Sequence, residues 1–169
     1  MSKAFTREDD SDELPPPPKR SSPLPRGAKN YVTADGAKRL RGELERCMER
    51  RARVAAAGDP ANAKLELQKI DQHIATLQAV LDSAVVTSPP EKPWDEVRFG
   101  ATVKVRDTTG EESAYRIVGV DETDIDRDWI SWVSPIARAL FNAKVGQRVR
   151  FRVPAGEREL EVLSIAYDS

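Results

Sequence analysis

Asp59 is the side chain in this sequence whose position most invites chemistry. It stands between Gly58 and Pro60, at a break between two stretches of helical apolar spacing. A carboxylate before a proline at a helix start caps, accepting hydrogen bonds from the unpaired N–H groups of the first turn. Behind it, Arg46, Arg50, Arg51 and Arg53 make the first stretch basic. That favours RNA or an acidic wall electrostatically. Glu43, Glu45 and Glu49 dilute the charge, and a solvated face is the plain alternative. His73 has no second histidine or cysteine at ligand spacing and reads as a residue flanking a helix seam. Cys47 is the single cysteine, so no internal disulfide forms and a reducing compartment is expected. No bound cofactor or resident metal is expected.

The rest of the composition narrows the class. Hydrophobic residues make up 39% and charged residues 33% of 169, with a formal net charge of −1. A general nucleic-acid binder would carry a basic excess. No stretch of 18 apolar residues is present, and the start of the chain lacks the apolar run of a secretory signal. The cytoplasm is the expected location, with no membrane association.

The elements that must position Asp59 can be read from spacing. Residues 1–30 hold an acidic run (Glu8, Asp9, Asp10, Asp12, Glu13) and then Pro15 to Pro18, Pro23 and Pro25. They read as a disordered tail. Thr33 and Asp35 mark a helix start as cap and first-turn acid. Ala37, Leu40, Leu44, Cys47 and Val54 then fall on a heptad seam, with Arg51 in the missing slot. Its stem is expected to cover the seam while the guanidinium reaches water or Glu66. After the turn near 58–60, Ala63, Leu67, Ile70, Ile74, Leu77, Leu81 and Ala84 form a second seam. Folding back at Gly58 sets Leu44 opposite Ile74, Cys47 opposite Ile70 and Leu40 opposite Leu77. The chain therefore divides into the tail, an antiparallel coiled-coil hairpin over 31–87, a linker over 88–95 and a second domain over 96–169. In that domain the apolar period becomes two. Strands are expected at 102–106, around 115–118, and at 129–133, 148–153 and 160–165, with a helix over 135–142 and a turn at Thr109-Gly110. One of Trp129 and Trp132 is expected in the core and the other as an exposed anchor. The fold class is α+β.

Several motifs occur in an order that resembles a known family. They are Arg98-Phe99-Gly100-Ala101-Thr102-Val103, Tyr115-Arg116-Ile117-Val118-Gly119-Val120-Asp121-Glu122, Ile130-Ser131-Trp132-Val133-Ser134-Pro135-Ile136-Ala137-Arg138-Ala139-Leu140, and Val153-Pro154-Ala155-Gly156-Glu157 with Glu161-Val162. Together they resemble the C-terminal domain of the Gre transcription elongation factors. Asn30-Tyr31-Val32-Thr33 with Gly36, Leu40 and Glu43-Leu44 resembles the approach to that family's first helix. The likeness covers roughly 29–168 and is closer to the GreB branch.

The resemblance implies a coiled-coil hairpin followed by an FK506-binding-protein-like sheet domain with one short helix. It implies bacterial RNA polymerase as partner, with the sheet domain at the rim of the secondary channel and the hairpin reaching toward the active centre and the RNA 3′ end. By resemblance Ser134, Pro135 and Ile136 meet the polymerase, with Asp121 and Glu122 as a nearby acidic pair. In the family, tip acids help hold a magnesium ion that belongs to the polymerase, and the polymerase itself cleaves backtracked RNA. The factor is thus a regulator without a catalytic site of its own, expected to be monomeric.

The sequence departs from the family at the tip. The family reads Gly-Asp-x-x-Glu-Asn-Ala; here Gly58-Asp59-Pro60-Ala61-Asn62-Ala63 keeps the aspartate and lacks the glutamate. Each arm also falls about one heptad short of the family pattern, a loss of roughly 10 Å in reach. The reading that follows is a channel-occupying regulator with weak or no stimulation of cleavage. The alternative is an active cleavage factor using Asp59. A prolyl isomerase is inferred only from shared fold, which is weak ground for function, and the ordered motifs speak against an unrelated coiled-coil adaptor.

Overall fold

A computed structural model describes residues 24–58 and 60–168. Residues 1–23 of the expected tail over 1–30 and the capping role of Asp59 fall outside the described residues. At the other end of that span the Ala28 N–H bonds the Pro25 carbonyl and Asn30 is a buried strand residue, so the ordered chain begins before residue 31. The chain forms two long helices and then a mixed sheet with one short helix, an α+β architecture.

Helix α1 (Ala34–Ala56) starts at the expected cap. The Thr33 hydroxyl accepts from the Gly36 N–H at 3.0 Å, and Asp35 lies in the first turn, where a negative charge suits the helix dipole. The helix ends just before Gly58, whose φ is +73°. Helix α2 (Pro60–Ser83) opens on proline, which lacks an N–H that the first turn would leave unpaired anyway. Ala37, Leu40 and Cys47 of α1 and Leu77 and Val80 of α2 form one buried cluster, with Leu44 and Ile74 packed against it. The cross-helix bonds Glu43–His73 (2.8 Å) and Arg50–Glu66 (2.9 Å) lie one residue from the expected register.

Two side chains differ from expectation. His73 is buried rather than flanking, because it lies three residues after Ile70 and four before Leu77 and so shares their stripe. Arg51 reaches Asp71, while Glu66 is taken by Arg50.

The base of the hairpin holds an element that local spacing does not announce. Helix α2 stops at Ser83, and β2 (Ala84–Thr87) pairs in parallel with β1 (Asn30–Thr33), from Asn30↔Ala84 to Thr33↔Thr87. Val85 and Val86 suit a strand, but their partner lies at the other end of the hairpin.

The head contains β3 (Ala101–Asp107), β4 (Glu112–Val118), β5 (Trp129–Ser131), α3 (Pro135–Leu140), β6 (Arg148–Val153) and β7 (Gly156–Tyr167). The sheet order is β5-β4-β3-β7-β6, antiparallel except for the parallel β4–β5 pair. Val103, Val105, Ile117, Leu140 and Val162 centre its core. The β3–β4 turn is fixed by Asp107, whose Oδ1 accepts from the Thr109 hydroxyl and from the N–H groups of Thr109 and Glu111. The Thr109 hydroxyl is the main cause holding that carboxyl below its usual range.

Candidate functional site

Three places could meet a partner: the joint between hairpin and head, the loop before α3, and the hairpin tip.

The joint is built around Glu122. One carboxylate oxygen accepts from the Thr33 N–H at 2.9 Å and the Gly119 N–H at 2.8 Å; the other accepts a short bond from the Thr33 hydroxyl. The Arg39 guanidinium lies 3.8 Å away. The same Thr33 that caps α1 thus ties the helix start to the head. The fit requires glycine at two positions. A Cβ on Gly36 would fall 1.8 Å from a Glu122 oxygen, and one on Gly119 would fall 2.2 Å from the Tyr31 carbonyl oxygen. Tyr31 adds an edge-to-face contact with Trp132 at 5.3 Å between centroids and a tilted one with Phe99 at 5.8 Å. Asn30 reaches Ser83 Oγ at 3.0 Å and Asp121 Oδ2 at 3.4 Å.

Asp121 and Glu122 were expected beside the polymerase-facing surface. They are instead buried, at 7% and 4% exposure, in this internal joint. Buried charge persists where donors compensate it, and here α1 supplies them.

The loop before α3 places Ser134, Pro135 and Ile136 side by side. Ser134 caps α3, accepting from Ala137 N–H at 3.3 Å. Pro135 is exposed at the first helical position, and Ile136 is half-buried against the core. A shallow groove of about 270 Å³ runs beside them, lined by Thr123, Ile125, Trp129, Ile130, Ser134 and Ile136. Ile125 is 91% exposed. Sequence reasoning missed it, although a single isoleucine between Asp124 and Asp126 was a visible signal. Trp129 is half-buried under the guanidinium groups of Arg39, Arg116 and Arg127, at 4.8, 4.9 and 5.2 Å from its ring centroid. Trp132 is the one that packs on the core.

At the tip, Asp59 lies outside the described residues. Behind it the first acid of α2 is Glu66, which binds Arg50 at 2.9 Å. Of the four arginines singled out, Arg50 and Arg51 are engaged by α2 acids, and Arg46, Arg51 and Arg53 lie on the exposed surface. Among the described residues no three His, Cys, Asp or Glu side chains gather as a metal site. Cys47 is buried, and that burial pushes its thiol pKa up, which suits a core residue rather than a nucleophile.

Comparison with known proteins adds the following. Residues 91–167 match the family model described as transcription elongation factor GreA/GreB, C-terminal. Over 154 residues the chain is 36% identical to transcription elongation factor GreB of Neisseria meningitidis serogroup B, covering 82% of this chain and 94% of that one. Over 149 residues it is 41% identical to transcription elongation factor GreA of Caldanaerobacter subterraneus, covering 79% and 95%. Among solved structures, GreA factor homolog 1 of Thermus thermophilus is similar at 28% identity and a TM-score of 0.39, covering 82% of this chain and 99% of that one.

Proposed function

Because this chain belongs to the GreA/GreB family of transcription elongation factors, we propose that it binds bacterial RNA polymerase and regulates elongation with weak or no stimulation of transcript cleavage. In this reading the head seats at the rim of the secondary channel through Ser134, Pro135 and Ile136, with Ile125 and Trp129 alongside. The hairpin enters the channel, and the basic side of its first helix, with Arg46, Arg50, Arg51 and Arg53, meets nascent RNA or the channel wall. The protein works as a cytoplasmic monomer and leaves bond breaking to the polymerase.

The observation that carries the cleavage-poor reading is the supply of carboxylates along the hairpin. Cleavage by two metal ions needs oxygen ligands and negative charge where the second ion sits. From Val54 to Leu65 the sequence holds one acid, Asp59. Glu66 stands six residues beyond Pro60, about 9 Å back along the helix, and is bound to Arg50. A hairpin about 10 Å short in reach compounds the deficit, since catalytic placement tolerates errors on the order of 1 Å.

The test uses purified core polymerase and a stalled, backtracked complex with magnesium. The chain should co-purify with the polymerase, leave RNA cleavage near its intrinsic rate, and slow a cleavage-active Gre factor added in competition. Cleavage at full Gre rates would replace this reading with the active-factor alternative. Failure to bind core polymerase would overturn both. Pro135→Asp should weaken binding by about tenfold, the loss of a modest interface contact, while thermal unfolding stays unchanged.

A further inference from the structure

Strand β6 forms one edge of the head's sheet and pairs with β7 alone. Its hairpin turns through Pro154-Ala155, flanked by the pair Val153↔Gly156. By antiparallel alternation Val153, Phe151 and Val149 turn their backbone groups toward β7. Arg152, Arg150 and Arg148 turn theirs outward. No backbone bond joins those three arginines to any described residue beyond the β6–β7 ladder.

Their side chains continue a pattern across the exposed face of the sheet. Glu112 lies on β4, Lys104 and Arg106 on β3, Glu157, Glu159 and Glu161 on β7, and Arg148, Arg150 and Arg152 on β6. The columns alternate acid, base, acid, base. Neighbours are joined by Arg106–Glu112 at 2.8 Å and Arg150–Glu159 at 2.9 Å. The series ends on a basic column in solvent: Arg148 and Arg150 are 69% and 70% exposed, and Arg152 is exposed as well. A second β6 added here would set arginine against arginine, so the edge is guarded against its own copy. An acidic strand would extend the alternation and meet the outward backbone groups.

We propose that the occupant is the chain's own acidic segment, residues 8–13, added to the β6 edge as a further strand. Glu8, Asp10 and Asp12 recur every second residue, so an extended chain presents all three on one face. The arginine column has the same period. No proline interrupts residues 7–14, so each N–H there can join a ladder. The 12 residues from Asp12 to Leu24 would span about 37 Å at polyproline pitch. The five-stranded sheet is about 19 Å across at 4.8 Å per spacing. The tether also raises the local concentration of the segment, on the order of millimolar for a flexible link. Aspartate and glutamate are weak strand formers, so the added strand exchanges on and off, and salt loosens it.

Hydrogen exchange on the full-length chain tests this. The amides of Arg148, Arg150 and Arg152 should exchange about tenfold more slowly at low salt than in a variant carrying Glu8→Gln, Asp10→Asn and Asp12→Asn, the combined effect of several weak cross-strand pairs. High salt should abolish the difference. Arg150→Gln with Arg152→Gln should abolish protection of residues 8–13 without altering exchange in the core strand β3. Equal rates in the parent and acid-neutralised chains would overturn the proposal. So would protection that grows with protein concentration, which would assign the strand to another copy.

Discussion

The two ends of the hairpin use carboxylates in opposite ways. At the base, Glu122 is withdrawn from water, with its side chain 1% exposed, and is saturated by donors from Thr33 and Gly119. At the tip, the sequence supplies a single aspartate between glycine and proline. The charge at the base orders the chain's own parts, whereas a charge at the tip matters only through what a partner brings to it. Burial and donor supply, rather than residue type, decide which job an acid does. The contrast also explains how a thin two-helix rod is held without a wide core. Its open end is closed by the β1–β2 ladder and locked to the head around the Glu122 carboxylate, with Tyr31 against Trp132 and Phe99 and Asn30 against Asp121 beside it.

Glu122→Ala should break that contrast most severely. It removes the acceptor from the Thr33 and Gly119 N–H groups and the Thr33 hydroxyl in a buried site. Stranding several buried donors at once should cost about 3–5 kcal/mol, read by urea denaturation. Hydrogen exchange should speed up at Thr33 and Gly119 before it does in β3. Glu122→Gln keeps an acceptor oxygen and should lose only about 1–2 kcal/mol. If Glu122→Ala proves neutral, the lock is not where the two halves are held.

Gly36→Ala is the next largest. Its Cβ would press on the Glu122 carboxylate, which can retreat only by giving up its bonds to α1. An overpacked contact of this kind costs about 1–3 kcal/mol, although alanine is otherwise the better helix former. The sign of the measured change therefore separates the close approach from helix propensity. A gain in stability would mean that the helix start and the head do not meet this tightly.

Local signals made much of this molecule legible in its sequence. Period-two alternation places the head strands, because each one has a buried and an exposed face. Thr33 and Ser134 announce their caps because the donor and acceptor lie three residues apart. The seams emerge from the heptad spacing of Leu40, Cys47, Ile70 and Leu77. What stayed hidden depends on residues far apart in the chain. Asp121-Glu122-Thr123-Asp124 reads like a solvated acidic loop, and it takes Thr33, 89 residues away, together with the nearby Gly119 N–H to make Glu122 a buried acceptor. Strand β2 hides behind the apolar run of α2 because its partner is β1. Gly36 stands in a motif, yet the reason it must be glycine appears only when the helix start meets the head.

The smallest structural effect, and the most discriminating functional one, belongs to the tip. Asp59→Asn should change stability by at most about 1 kcal/mol, the range of a helix cap, and asparagine caps nearly as well. Polymerase binding should be unaffected. Asn62→Glu then returns a second acid at the family spacing, three residues after Asp59. If the missing carboxylate alone limits the tip, this change should raise cleavage in a backtracked complex. If reach also limits it, cleavage should stay at the intrinsic rate until one heptad is added to each arm, which restores about 10 Å and keeps the seam in register. Measuring the point variant beside the lengthened one therefore assigns the deficit to charge or to distance. Full cleavage from Asn62→Glu in the short hairpin would show that its tip already arrives where a second metal ion must be held.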